Sequence, residues 1–531
     1  MDQQRVWIAV GLSLLLLVLY QELVVRRYQV PQSVPTPPAS APVPQAPEDA
    51  KTRAEATPMP TAGSAVPEGS LKVPAGEAPT VIVETDVFRA TLTTTGARLI
   101  GFELKRYRRS VHRDSPPLNL VDGQRTAFPL TLQLGADATD AAIAYTADRE
   151  RLVLTADQEG EVTFQGVRAD GSAIAKRLRF RGSSYLFELQ VDAPGQPVGL
   201  VLVPIAPEGA AGGQYSGQER VVTLAGGKLK ERDLSELADA VPPVDQAMWG
   251  GFAAQYFAAL AMPREGTARV VMGTLEDTPV VRVDAAAEGR GRYAFELFFG
   301  PKERRTLLGL GHDLARVVDY GWFWFIAIPL LVLLELLHRV TGNYGLDIIV
   351  LTTLVKVVTI PLTQTSFKSM KAMQQLQPEM LQLRERFKDD QAELQKRIME
   401  LYKRHKVNPL SGCLPMVLQI PIFVGLYNAL IHAIELRHAP FMLWIDDLSA
   451  PDRLMIGGIG IPVLTLLMGA SMLAQQWLTP QQGDPTQQKI MMIMPVIFTF
   501  MFINFPAGLV LYWLVNNLLT IAQQYWMLRA T

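Results

Sequence analysis

Leu346-Asp-Ile-Ile-Val-Leu-Thr-Thr-Leu-Val-Lys356-Val-Val-Thr-Ile-Pro-Leu362 is apolar enough to cross a membrane as a helix, yet it carries a lysine near its middle. A lysine there costs roughly 2.5–3.5 kcal/mol or more unless it is hydrated or paired. The other apolar runs offer no acid at similar depth; Glu435, Asp446 and Asp447 fall at run ends. A charge without a counter-ion needs water, so the run predicts a helical bundle with a hydrophilic recess cut into it. Thr352, Lys356, Thr359 and Thr363 share one helix face by their spacing. Tyr512, Asn516, Thr520 and Gln523 form a second polar stripe in the last run, and the two stripes are expected to face each other. Gln419 is a further candidate for the wall. Taken alone, the threonines read as ordinary interhelical hydrogen-bonding groups. With Lys356 on the same stripe, a water-filled groove is the better reading.

Working outward, the apolar runs are Trp322–Leu337, Leu346–Leu362, Leu414–Ile434, Ile459–Trp477, Ile490–Phe505 and Leu509–Met527. Between the second and third lies a segment rich in lysine and arginine, from Lys368 and Lys371 through Arg384, Arg386 and Lys396 to Lys406. Such an excess marks a cytoplasmic loop. Residues 366–408 also carry a heptad seam, Met373, Leu376, Met380, Leu383 and Phe387, continued by Leu394, Ile398 and Leu401. This predicts a cytoplasmic helical hairpin, kinked or restarted at Pro378. Its basic face suits anionic lipid, ribosomal RNA or nascent chains, or is simply solvated.

With that loop inside, Trp322–Leu337 decides where the preceding domain lies. Pro329 and Glu335 interrupt it, and Trp322, Phe323, Trp324 and Phe325 suit the headgroup boundary. It is read as an amphipathic interfacial helix in region 301–343, with an ordinary spanning helix as the alternative. The uncharged run from Val6 is followed by Arg26-Arg27 with no small-residue cleavage signal, which predicts an uncleaved anchor over 1–27. Those arginines at its outer end run against the positive-inside rule, but the larger basic loop outweighs them. Residues 28–79, dense in Pro, Ala, Ser and Thr, read as a flexible linker. From 80 to 300 the pattern has period two. Ile174, Lys176, Leu178 and Phe180 form one face, broken by the lysine, and Tyr185, Phe187, Leu189 and Val191 another. Turns recur between such runs, which predicts a large β-sandwich with solvated outer faces. Gly209–Gly217 reads as a mobile loop, and Pro301 as the opening of a helix. The fold class is a multidomain membrane protein. An all-α transmembrane bundle, one N-terminal anchor plus a five-helix core (344–365 and 409–531), carries a periplasmic β-sandwich and a cytoplasmic hairpin.

The remaining totals exclude more than they assert. A net charge of -1 over 531 residues gives no reason to propose a specific nucleic-acid sequence as partner. Cys413 is the single cysteine, so no intrachain disulfide can form, and it reads as a small buried hydrophobe. No histidine pair has zinc-site spacing, and no phosphate loop, nucleophile elbow or dinucleotide fingerprint is present. No cofactor, metal or enzymatic activity is expected.

Several motifs together resemble the YidC/Oxa/Alb membrane insertases. They are Lys356-Val-Val-Thr-Ile-Pro361-Leu-Thr363, Asn408-Pro409-Leu-Ser-Gly412-Cys413-Leu-Pro415, Gln419-Ile-Pro421-Ile-Phe423, Pro440-Phe-Met-Leu-Trp444-Ile-Asp-Asp447 and Phe505-Pro506-Ala-Gly508-Leu-Val-Leu-Tyr512. The tethered β domain resembles the long Gram-negative form. The resemblance implies a bacterial inner-membrane insertase and chaperone, both termini cytoplasmic. Its groove would open to cytoplasm and lipid, and its basic residue, here Lys356 where arginine is commoner, would attract polar parts of a client. A lysine keeps the charge but loses the guanidinium fork. Thr352, Tyr512 and Trp513 fall at positions that line the groove or meet the client helix. Implied partners are nascent membrane proteins and the SecYEG translocon with its accessory subunits, in the lipid bilayer. The ribosome is a candidate partner through the hairpin, and the tail to Thr531 lacks the basic extension of some relatives, which weakens docking at the C-terminus. Two rivals are a transporter or anion channel, which should show repeats or paired broken helices, and a carbohydrate-directed enzyme in 80–300, which should show clustered acids or aromatics.

Overall fold

The computed structural model describes residues 78–112, 114–121, 127–135, 138–205, 219–238, 241–275, 278–288, 291–388, 390–405, 414–478 and 485–529. The expected anchor at 1–27, the linker up to residue 77, the loop Gly209–Gly217 and the segment from Lys406 to Cys413 lie outside them.

The period-two region folds into a 14-stranded sheet and a 5-stranded sheet. Its one parallel pairing among the described strands joins Thr80–Glu84 to Arg151–Val153. The two sheets share one core. Phe88 and Phe102 of the small sheet stack at 4.5 Å, and Phe102 meets Phe299 of the large sheet at 5.4 Å. Phe180 and Phe187, also from the large sheet, stack at 5.2 Å beside them. Aromatic pairs of this kind add about 0.5–1.5 kcal/mol each beyond their buried area.

Lys176 does not break the buried face; it completes it. Ile174, Lys176, Leu178 and Phe180 all point inward on Ala173–Arg181. The Lys176 ammonium lies 2.6 Å from Asp140 and donates to the carbonyls of Gly96 at 2.6 Å and Leu130 at 2.7 Å. Asp140 accepts in turn from the Leu132 amide at 2.7 Å and the Tyr145 hydroxyl at 3.0 Å. A buried charge is tolerable only with such complete partnering.

The expectation of solvated outer faces fails at the centre of the large sheet. Phe257–Pro263 is buried at every position. The reason lies in the segment after the last strand. Pro301 does not open a helix: it ends the strand Arg292–Pro301, opposite Phe257. The chain then turns back, and Leu307 of α1 (Arg304–Leu310), Leu314 and Val317 join the core. Trp249 Nε1 donates to the His312 carbonyl at 3.2 Å. A strand covered on both faces loses its alternation.

The C-terminal region is helical. In order it contains α2 (Trp324–Thr341), α3 (Tyr344–Gln375), α4 (Gln377–Arg386), α5 (Gln391–Arg404), α6 (Leu414–His432), α7 (Val463–Leu478), α8 (Pro485–Phe502) and α9 (Ala507–Arg529). Among the described residues, Trp324–Thr341 and Tyr344–Pro361 are long and apolar enough to cross a membrane, and α7 and Met491–Phe502 are shorter apolar helices. Backbones approach closely where glycine permits: a Cβ on Gly425 of α6 would lie 2.9 Å from Ile326 of α2.

The 32 residues of α3 run without interruption through Pro361. At 1.5 Å per residue they span about 48 Å, well beyond ~30 Å of hydrocarbon. The first leg of the hairpin is therefore the same helix as the lysine-bearing run. The restart falls at Leu376, with Pro378 in the first turn of α4, where its missing N–H costs nothing. Asp390 caps α5 by accepting from the Glu393 amide at 3.0 Å. Met373, Leu376, Leu394 and Leu401 are buried along the seam.

Candidate functional site

Lys356 sits twelve residues into α3, about 18 Å from its Tyr344 end at 1.5 Å per residue. That depth is near the middle of a ~30 Å apolar layer. Its ammonium donates to Thr520 Oγ1 of α9 at 2.7 Å. Thr520 in turn donates to the Asn516 carbonyl one turn back, at 2.6 Å. The hydroxyl proton is thus committed to the helix, leaving an oxygen lone pair to receive the lysine. An ammonium has three donors. Among the described residues no carboxylate forms an ion pair with Lys356, and Thr520 is its one side-chain hydrogen-bond partner.

This contact brings the two polar stripes together. Gln419 of α6 joins them, its Nε2 donating to the Tyr512 hydroxyl of α9 at 2.8 Å. The α3 threonines donate within their own helix and not across the bundle. Thr352 donates to Ile348 O at 2.6 Å, Thr359 to Lys356 O at 3.0 Å and Thr363 to Thr359 O at 2.9 Å. Each hydroxyl proton is thus committed to its own helix. Thr352 is buried, whereas Thr359 and Thr363 are half-buried. Asn516 is half-buried on the same side of α9.

Trp513 does not join the polar contacts. Its ring packs edge-on to Phe423 at 4.6 Å and against Phe502 at 5.3 Å, and Phe502 stacks on Phe505 at 4.5 Å. Successive positions of α9 thus face an aromatic cluster and the hydrogen bond to Gln419, because consecutive helical residues point about 100° apart.

Gln523 stands on the expected stripe, whereas sequence reasoning passed over the parts played by Ser366, Asn517 and Asp347. Both amide atoms of Gln523 and the Ser366 hydroxyl are buried with no hydrogen-bond partner among the described residues. They lie one to three turns beyond Thr520 and Lys356, towards the hairpin. Asn517 of α9 donates to Ser471 of α7 at 3.0 Å. Asp347 is fully buried on α3, nine residues or about 13 Å of helix before Lys356. It is held by His338 at 2.9 Å and by the Thr341 hydroxyl. Asp347 therefore ties α3 to the end of α2 and does not neutralise the lysine. Its place one turn inside a helix start was the available signal, since an acid there suits the helix N-terminus.

Comparison with known proteins covers both halves of the chain. Residues 80–333 match the family described as YidC periplasmic domain, and residues 336–531 the family described as 60Kd inner membrane protein. Membrane protein insertase YidC of Syntrophobacter fumaroxidans is 41% identical over 479 residues, covering 84% of this chain and 86% of that protein. That of Oleidesulfovibrio alaskensis is 39% identical over 555 residues, covering 100% of both. A solved structure of an active YidC insertase with its first transmembrane domain resolved aligns over 86% of this chain and 96% of its own, at 19% identity and a TM-score of 0.37. By identity sustained along nearly its whole length, the chain belongs to the YidC family of membrane protein insertases.

Proposed function

We propose that this protein inserts segments of nascent membrane proteins through a water-containing groove charged by Lys356. Its walls are Thr352, Thr359, Thr363 and Gln419 with Tyr512, Asn516 and Thr520. One observation carries the reading: a lysine at mid-helix whose side-chain partner is a neutral hydroxyl, with no ion-paired carboxylate among the described residues. Two of its three donors are left for water or for a client's acidic and carbonyl groups.

A client's tail enters beside Lys356, and its polar groups cross a thinner layer of dry hydrocarbon. The apolar segment then slides past the aromatic cluster at Trp513 into lipid, driven by hydrophobic transfer. No bond is made or broken, so the work needs no cofactor. In this reading both termini are cytoplasmic, the β domain is periplasmic, and α7 to α9 complete the spans. The α2 helix lies along the outer surface. Trp322, Trp324 and Phe325, at 92%, 58% and 56% exposure, support an interfacial seat for its start. The basic hairpin α4–α5 meets the ribosome, and the SecYEG translocon is a partner.

The test is a cysteine at 356 in a chain whose Cys413 is replaced by serine, exposed to a membrane-impermeant thiol reagent from each side in turn. Labelling from the cytoplasmic side alone is expected. Protection from both sides would sink the groove. In parallel, Lys356→Glu should lower insertion of acidic-tailed clients in proteoliposomes about tenfold or more, because attraction becomes repulsion at low dielectric.

A further inference from the structure

A second polar recess lies where the β domain meets the C-terminal end of α6. Lys302, Arg220 and Gly321 from the domain side and Tyr427, Ile431 and His432 from α6 line a cavity of about 240 Å³. One water needs ~10–15 Å³, so the space is that of a larger group. The junction is built by direct contacts: Gln255 Nε2 donates to the Ile431 carbonyl at 3.0 Å, and Asn428 Nδ2 to the Tyr320 carbonyl at 2.9 Å. Within it, His432 Nδ1 is buried with no hydrogen-bond partner among the described residues. A buried ring nitrogen without a partner is costly, and a ligand oxygen would relieve it.

The wall carries two cations, Lys302 and Arg220, and two carboxylates, Glu231 and Asp319. Lys302 is buried, with its ammonium 2.9 Å from the Ala254 carbonyl. Of the carboxylates on the wall, Glu231 is held by Arg220 at 2.6 Å, and Asp319 is exposed at the rim, accepting from the Gly321 amide at 2.7 Å. The rim also indicates where the ligand comes from. Gly321 leads directly into exposed Trp322, Trp324 and Phe325, the residue types that sit at the headgroup level of a bilayer.

We propose that this cavity binds the phosphate of a phospholipid headgroup, which accepts from His432 and Lys302 while the acyl chains lie along the aromatic start of α2. The lipid would brace the β domain against the bundle at the membrane surface. The inference rests on the outer placement of this end of α6 and does not use the Lys356 groove. Failure of either therefore leaves a different readout changed.

The test uses the purified full chain in non-ionic detergent, titrated by calorimetry with dioctanoyl-phosphatidylglycerol and, separately, with inorganic phosphate. Saturable lipid binding is expected, weakened about tenfold in His432→Leu and in Lys302→Met and unchanged in Arg149→Met, at an exposed ion pair with Asp148 away from the cavity. Lys302→Arg and His432→Gln keep a donor and should retain binding, which separates loss of contact from loss of fold. Equal affinity in every variant would overturn the site. Loss of binding in the two donor-keeping variants, with unfolding temperature intact, would overturn the donor roles. Phosphate binding as tightly as the lipid would overturn the lipid as its source.

Discussion

The Lys356 ammonium and the Thr520 hydroxyl, 164 positions apart in sequence, meet at 2.7 Å between α3 and α9. Thr520 spends its proton on the Asn516 carbonyl, so the pair has a fixed direction. Hydrogen bonds to charged groups are worth roughly 1.5–3 kcal/mol, but water in the recess would replace part of that on deletion. Thr520→Val is therefore expected to lower insertion of acidic-tailed clients about threefold, less than Lys356→Glu. Because the two residues share one contact, Thr520→Val should add almost nothing in a Lys356→Met background. Fully additive losses in the double variant would show that the contact is incidental.

Asp140 and Lys176 form the complementary case, a charge pair sealed at 0% exposure inside the β domain. Burial pushes the Lys176 ammonium below its ordinary range, against the pull of Asp140. Removing one partner leaves the other charge buried alone, at a cost of about 3–5 kcal/mol. Asp140→Leu should thus unfold the β domain at a markedly lower denaturant midpoint. Asp140→Leu with Lys176→Met should recover most of the loss, since an apolar pair of similar volume needs no partners. A double variant as unstable as the single one would contradict the argument.

Glu84 gives a pH signature. Arg151 at 2.8 Å and Lys105 at 3.1 Å, then Arg89 at 3.3 Å, hold its carboxyl down at about 2 from an ordinary 4.5. The folded value lies below the unfolded one. Its stabilisation is therefore complete above about pH 4.5 and lost as pH falls towards 2. Thermal unfolding of wild type and Glu84→Gln should differ by a constant amount from pH 7 to 5, then converge between pH 4.5 and 2. A gap that stays constant into acid would exclude this carboxylate as the source.

The meeting of α3 and α9 at Lys356 and Thr520 was legible because period and polarity agree there. Lys356 and Thr520 each stand on a stripe of polar residues in an otherwise apolar helix, and two such stripes have few places to go. The threonines of α3 were less legible, because a hydroxyl in a helix can bond across the bundle or back to its own turn, and spacing is the same for both. Lys176 misled for a related reason: its partner Asp140 lies 36 positions away, in the bend just after the strand Ala138–Thr139, and no local pattern shows that a buried lysine is matched. Trp513 follows Tyr512 directly, so a motif that places both at one site cannot reveal that one turns to polar neighbours and the other to Phe423 and Phe502. The covered face of Phe257–Pro263 depends on a fold-back from Leu307 to Val317, a long-range event invisible in period-two counting.

The contact of α7 with α8 offers a last prediction, independent of charge. A Cβ on Gly469 would lie within overlap distance of the Thr499 hydroxyl and 3.1 Å from its Cβ. Thr499 has little room to yield, since its hydroxyl donates to the Pro495 carbonyl at 2.7 Å. Gly469→Ala should then push the helices apart, at about 1–3 kcal/mol typical of overpacking. Removing the obstruction should restore the fit, so Thr499→Ala is expected to rescue Gly469→Ala. Thermal unfolding in detergent for the four combinations measures the coupling directly. Small residues earn their place in membrane bundles by letting backbones approach. If Gly469→Ala proves neutral by itself, the approach at this point is looser than the geometry states, and the α7–α8 hairpin is held by its other contacts.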